Sequence, residues 1–262
     1  MLNENLSKLG TETAFSVLAK ASELQKFGKT IINLGIGQPD FSTPEHIVEA
    51  GVKALRDGQH GYTPSLGLIP LREAVKEDLS LRYGYCPPIS QIQITPGGKP
   101  IIFIAAMVYG GKGKEILMPN PSFPIYESAV SYSGATPVFY ELDERKGFSF
   151  NAEEILGKIT KQTTLIMINT PHNPSGGITP PSEIKKLVRG LENYPNITLF
   201  SDEIYDRLVF NTSPHSLLSY PEINDRLIIL NGWSKTFAMT GWRIGYGTVS
   251  YTHLTLPTIY SV

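Results

Sequence analysis

Four residues in this chain stand where apolar, β-prone runs give out, and their types could do chemistry together. Asp202 ends the run Thr198-Leu199-Phe200-Ser201, and Tyr205 follows it on the next turn of chain. Lys235 comes after Leu227–Asn231 through Gly232-Trp233-Ser234, and Arg243 follows it closely. An acid at the end of an apolar strand is costly unless it is paired. Asp202 therefore either caps a following helix or faces a cation such as a protonated ring nitrogen. On a helix Tyr205 would share its face. A lysine carried to the same rim offers an amine for covalent chemistry once its proton is removed. An arginine there suits a phosphate, because its guanidinium is planar and bidentate. Thr95-Pro96-Gly97-Gly98-Lys99 adds a glycine turn whose backbone N–H groups could approach an anion ahead of a helix. Phe123, after Asn120-Pro121-Ser122, could stack on a flat ring. Taken singly, each has an ordinary explanation: a cap, a surface lysine, a helix-capping glycine turn, a core aromatic.

The elements that must position these residues follow from the pattern around them. Seven β-prone runs recur, at Ile92–Thr95, Glu115–Met118, Thr136–Leu142, Thr164–Asn169, Ile197–Asp202, Leu227–Asn231 and Arg243–Gly247. Helix-compatible stretches such as Pro100–Tyr109, Pro124–Ser133 and Pro181–Asn193 lie between them. Alternation of this kind predicts an α/β fold: a three-layer α/β/α arrangement around a mostly parallel seven-stranded sheet. Several runs are almost wholly apolar, as strands covered on both faces should be. Ligands of such sheets bind at the carboxyl ends of the strands, where Gly98, Asn173, Asp202 and Lys235 are all expected. Near the start, Ala14, Val17, Leu18, Ala21 and Leu24 recur at helical spacing. Ser42-Thr43-Pro44-Glu45 predicts a helix start with Thr43 as cap, running to about Asp57-Gly58.

Composition narrows the function classes. The 262 residues carry a formal net charge of −1, with 41% apolar and 18% charged side chains. That balance gives no sign of nucleic acid or an anionic membrane as partner. Five histidines and one cysteine argue against a structural zinc site and a disulfide framework. No segment reads as a membrane span or a secretory leader, so a cytoplasmic location is expected.

A lysine that forms a Schiff base and an acid that partners a pyridine nitrogen are the pattern of pyridoxal-phosphate (PLP) enzymes. Over roughly residues 10 to 247 the chain resembles the class I/II aminotransferases of PLP fold type I. The segments that carry the resemblance are Asn33–Phe41, Gly61–Gly67, Pro96–Lys99, Asn120–Phe123, Asn173–Gly176, Ser201–Tyr205 and Ser234–Tyr246, in that order. The resemblance implies that Lys235 forms the Schiff base with pyridoxal 5'-phosphate and shuttles a proton, with Asp202 on the pyridine nitrogen. It implies that Tyr205 and Asn173 hydrogen-bond the phenolic oxygen, and that Phe123 stacks on the ring. Gly98, Lys99, Ser234 and Arg243 would hold the phosphate, and Gly37 would meet the substrate carboxylate. Tyr62 would reach the phosphate of the neighbouring subunit in a homodimer. A depressed pKa is expected for Lys235 near Arg243. The implied activity moves an amino group between an amino acid and a 2-oxo acid. A carbon–sulfur lyase, a decarboxylase or a PLP-binding regulatory domain would use the same residues. Regulators of that kind carry a DNA-binding module ahead of the domain, whereas here the match starts near the first residues. Lys99 hints at a dicarboxylate substrate.

The implied organisation is an N-terminal segment, 1–30, that packs with a small domain, and an incomplete PLP-binding large domain, 31–247. The small domain would be largely missing, and with it the arginine that clamps the substrate α-carboxylate. From Ile244 onward there is no Asp, Glu, Lys or Arg. Residues 248–262 are accordingly expected to be a tail foreign to the family, resembling translated vector sequence. On this reading apolar surface is left uncovered, and the chain by itself has little or no transaminase activity.

Overall fold

The computed structural model describes residues 4–10, 13–212 and 215–249. Every expected strand forms. Their bounds are β1 (Ile92–Thr95), β2 (Glu115–Asn120), β3 (Thr136–Asp143), β5 (Thr163–Asn169), β6 (Thr198–Asp202), β7 (Leu227–Gly232) and β8 (Gly245–Val249). A short strand, β4 (Ser149–Phe150), pairs with the end of β3, so that the described residues form a sheet of eight strands instead of seven. The order is β1-β8-β7-β6-β5-β2-β3-β4. Neighbours from β7 through β3 are parallel, while β8 runs antiparallel to both β7 and β1.

Two cores explain why the strand sequences are so apolar. In β5, Leu165 and Met167 point into one core with Ile116, Met118, Phe200 and Ile228. Helices α4 (Lys99–Tyr109) and α5 (Pro124–Ser133) cover that face with Ile102, Ala106, Tyr126 and Val130. The alternate residues Ile166 and Ile168 point into the other core with Leu117, Leu199 and Ile229. There α3 (Ile69–Tyr83), α6 (Ala152–Gly157) and α7 (Pro181–Gly190) supply Leu79, Ile155, Ile184 and Leu187. Period-two alternation with both sides buried is the geometry of a doubly covered sheet. No helix among the described residues is long and apolar enough to cross a membrane.

The N-terminal part is less well covered. Helix α1 (Thr13–Lys26) and the segment after it leave Phe15, Val17, Phe27, Ile32 and Leu34 exposed, the last at 91%. Helix α2 (Glu45–Arg56) starts where expected, but Thr43 does not cap it. Its hydroxyl instead donates to the Ala238 carbonyl at 2.8 Å, tying the helix start to the turn that carries Lys235. A Cβ on Gly51 would lie 2.8 Å from the Trp242 ring, so α2 and that turn are closely packed.

One further expectation is corrected. Arg243 lies outside β8, just before it, with φ of 55°. The strand runs on to Val249, so Thr248 and Val249, the first two residues of the expected tail, lie in the sheet. The remainder of that stretch, 250–262, lies outside the described residues.

Candidate active site

Asp202 is the last residue of β6 and is 4% exposed. Its Oδ2 accepts from the Tyr126 hydroxyl at 2.7 Å, and its Oδ1 accepts from the Ile204 backbone N–H at 3.1 Å. Its carbonyl accepts from Asn169 Nδ2 at 2.9 Å across the strand pair. Burial pushes the carboxyl pKa up to about 6, against the pull of those two donors. Among the described residues no cationic side chain pairs with it. A buried carboxylate held by neutral donors alone still lacks a positive partner.

Tyr205 sits in a turn after β6 and not on a helix, so no shared helical face places it. Its hydroxyl accepts from Asn173 Nδ2 at 3.4 Å, and burial, with Asp202 nearby, pushes its pKa up to about 12. Asn173 is held in turn, its backbone N–H donating to Asn169 Oδ1 at 2.7 Å. Two asparagines thus link the ends of β5 and β6 to one phenol.

Lys235 lies in the turn that follows β7, and its Nζ donates to the Gly37 carbonyl. The same Nζ is 5.8 Å from the centre of the Tyr205 ring. Burial, and secondly Arg243, lower its pKa, so the depression expected at Arg243 has partial burial as its larger cause. Ser234 is in the same turn, half-buried. Gly97, with φ of 77°, has no room for a side chain, because a Cβ there would run into the Arg243 guanidinium. A Cβ on Gly98 would lie 2.9 Å from Leu230, and one on Gly245 would lie 2.7 Å from the Gly97 carbonyl carbon. The glycine loop after β1 is therefore pressed on the start of β8, which brings Arg243 to it. Arg243 Nη1 also donates to the Thr240 carbonyl at 2.9 Å.

Phe123 precedes α5 and meets Tyr126 edge to face, with ring centres 5.8 Å apart. Lys99 Nζ is 6.0 Å from the Phe123 ring centre and 5.7 Å from that of Phe15. Tyr62 is fully exposed. The structure thus joins Gly37 to Lys235, Asn173 to Tyr205, Phe123 to Lys99, and Gly97 to Arg243. It gathers them at the rim where β5, β6 and β7 end. Tyr126 escaped the sequence reading. Its signal was its place one helical turn past Phe123, but the same spacing serves any core aromatic.

A family model described as aminotransferase class I and II matches residues 29–255. The chain belongs to that family. Curated relatives include the aspartate aminotransferase of Sulfurisphaera tokodaii, 41% identical over 86% of this chain and 57% of that protein. Another is a probable aspartate aminotransferase of Methanocaldococcus jannaschii, 40% identical over 84% of this chain and 57% of that protein. Among solved structures, the aspartate aminotransferase of Thermus thermophilus with maleate superposes with a TM-score of 0.91 at 31% identity. That match covers 97% of this chain and 65% of that one. The chain therefore spans about three fifths of the length of these relatives. Aminotransferases of this family depend on PLP. The residues present suit that group. The buried Asp202 lacks a cation, the Lys235 amine is held with a lowered pKa, and a glycine loop lies against an arginine.

Proposed function

We propose that the protein is a PLP-dependent transaminase, moving an amino group from an amino acid to a 2-oxo acid. The observation that carries this reading is that one rim of the sheet holds both Asp202, buried with no cationic partner among the described residues, and Lys235, whose amine is partly desolvated. Bound PLP supplies a sink for the electron pair left when the substrate Cα loses its proton. Asp202 would face the pyridine nitrogen and keep it protonated, which in turn keeps the carboxylate charged. Tyr205 and Asn173 would hydrogen-bond the phenolic oxygen, and Phe123 would cover the ring. Gly98, Lys99, Ser234 and Arg243 would hold the phosphate, with a helix N-terminus and a guanidinium on the same anion. Lys235 must be neutral to act as nucleophile and base, and burial favours that form.

Gly37, whose carbonyl accepts from Lys235, would meet the substrate carboxylate through its backbone N–H. The fully exposed Tyr62 supports a role across a homodimer, on the partner's phosphate. The place of Lys99 beside Phe123 and Phe15 also supports contact with a distal carboxylate, and so a dicarboxylic amino acid as substrate.

The test is spectroscopic. The chain is mixed with PLP, its long-wavelength absorbance is recorded, and borohydride then fixes the cofactor for peptide mapping. A band with the label on Lys235 is expected, and both should vanish in Lys235→Ala. A label spread over surface lysines would overturn the assignment. Transaminase turnover should require an added 2-oxo acid, which an elimination would not.

A further inference from the structure

One buried charge has no part in the chemistry above. Asp206 is 2% exposed and follows Tyr205 in the turn after β6. A single oxygen, Oδ2, accepts from Arg82 Nη2 at 2.6 Å, from the Tyr83 hydroxyl at 2.9 Å and from Asn231 Nδ2 at 2.9 Å. Arg82 and Tyr83 close α3, and Asn231 lies near the end of β7. Asn231 Oδ1 accepts from the Gly232 N–H at 2.7 Å, the first peptide of the path to Lys235. On the other side, the Asp206 N–H donates to the Glu203 carbonyl at 3.0 Å, and the Leu208 N–H donates to the Tyr205 carbonyl at 2.8 Å. One carboxylate thus connects the turn bearing Tyr205 with the strand end bearing Lys235 and anchors both to a helix.

Stability alone is a poor reason for this arrangement. A buried ion pair often contributes no more than well-packed apolar side chains would, because desolvation offsets the attraction. What charge and directional hydrogen bonds add is a fixed geometry. Lys235 sits in a turn whose backbone includes Ala238 at φ of 52° and ends at Arg243 at φ of 55°. Such conformations persist only where surrounding contacts impose them.

We propose that Asp206 is a positioning residue: through Asn231 it fixes the end of β7 against the Tyr205 turn, and so sets where the Lys235 amine stands relative to the Tyr205 hydroxyl. Its consequence for cofactor retention rests on the PLP reading, but the placement of the amine does not.

The experiment separates the two. Asn231→Ala cuts the tie toward Lys235 while Arg82 and Tyr83 still hold Asp206. Tyr83→Phe removes a bond to the same oxygen on the side away from the site. The Lys235 amine is titrated in the cofactor-free chain by NMR of its ¹³C-dimethylated form, assigned by its loss in Lys235→Ala. PLP affinity is measured separately. In Asn231→Ala the Lys235 pKa should rise toward that of a free lysine by about half a unit or more, as the amine gains water. PLP should bind about tenfold more weakly, the scale of one hydrogen bond to a charged group. Tyr83→Phe should lower the melting temperature and leave both values in place. An unchanged Lys235 pKa in Asn231→Ala overturns the proposal. A raised pKa in a chain that takes up no PLP upholds it and overturns the cofactor reading instead. Should Asn231→Ala not fold, Asn231→Ser serves the same test, because its hydroxyl can still accept from Gly232 but is too short to reach Asp206.

Discussion

Replacing Asp202 by asparagine should make the cofactor-free protein more stable at neutral pH and less responsive to PLP. Burial raises the Asp202 pKa from 3.8 to about 6. An acid whose pKa is raised by folding binds its proton more tightly in the native state. Its contribution is fully present below about pH 4, declines as pH rises toward 6, and stays lost above that. At about 1.4 kcal/mol per unit, the penalty at pH 8 is about 3 kcal/mol. An amide avoids this penalty and can still accept from the Ile204 N–H. It disturbs the bond to the Tyr126 hydroxyl, at a cost of about 1 kcal/mol. The variant should therefore gain about 2 kcal/mol at pH 8 and lose about 1 kcal/mol at pH 4. The assay is urea unfolding of both proteins from pH 4 to 8, without cofactor and with saturating PLP. Glu203 titrates in both proteins and cancels in the difference. With PLP bound the order should reverse at pH 8, because only the aspartate gains a pyridinium partner, and tighter binding raises apparent stability. Parallel stability curves for the two cofactor-free proteins across this range would refute the reasoning, since Asp202 would then pay no measurable penalty for its burial.

Other variants probe the rest of the site. Glu203 is 1% exposed, has its pKa pushed up to about 7 by burial, and leaves Oε2 without a hydrogen-bond partner among the described residues. Glu203→Gln should raise the melting temperature at pH 8 and change it little at pH 5, because the penalty for the buried acid builds as pH rises from about 4.5 and is complete only near 7. Arg243→Lys keeps the charge but loses the bidentate fork, so PLP affinity measured by absorbance titration should fall about tenfold or more. Gly97→Ala meets both a left-handed backbone and the Arg243 guanidinium. Calorimetry should show a loss of about 1–2 kcal/mol from the backbone alone, and PLP binding should weaken as Arg243 is displaced.

Much of the fold was legible because strands buried on two faces leave an unmistakable record. Leu165 to Ile168 has no polar residue, and the chemistry begins where that run ends, at Asn169. Asp202 and Lys235 stood out for the same reason. What spacing could not reveal was conformation beyond the strand ends. Tyr205 looked helical after Asp202, but the chain forms an isolated turn there, held partly by Asp206 reaching Asn231. Thr43 had the composition of a cap, yet its hydroxyl serves a carbonyl far away in sequence. Tyr126 carries only an unspecific mark, its place one turn past Phe123, and Asp206 carries none, because their partners come from other elements. The direction of β8 was equally hidden: an apolar run looks the same whichever way it enters a sheet.

That direction has a consequence for how the protein comes into being. β1 lies at one border of the sheet, with β8 as its only neighbour among the described residues. Its partners run from Gly245 to Thr248, so on the ribosome β1 emerges early and must wait for nearly all of the remaining described chain before it can pair. Contacts this distant in sequence are slow to close, and an unpaired strand is vulnerable meanwhile. Gly97 and Gly98 follow β1 after Pro96, while Lys235 and Arg243 precede β8. The anion loop and the lysine turn are therefore brought into register by a single late pairing, and a nascent chain stopped short of β8 would lack that register.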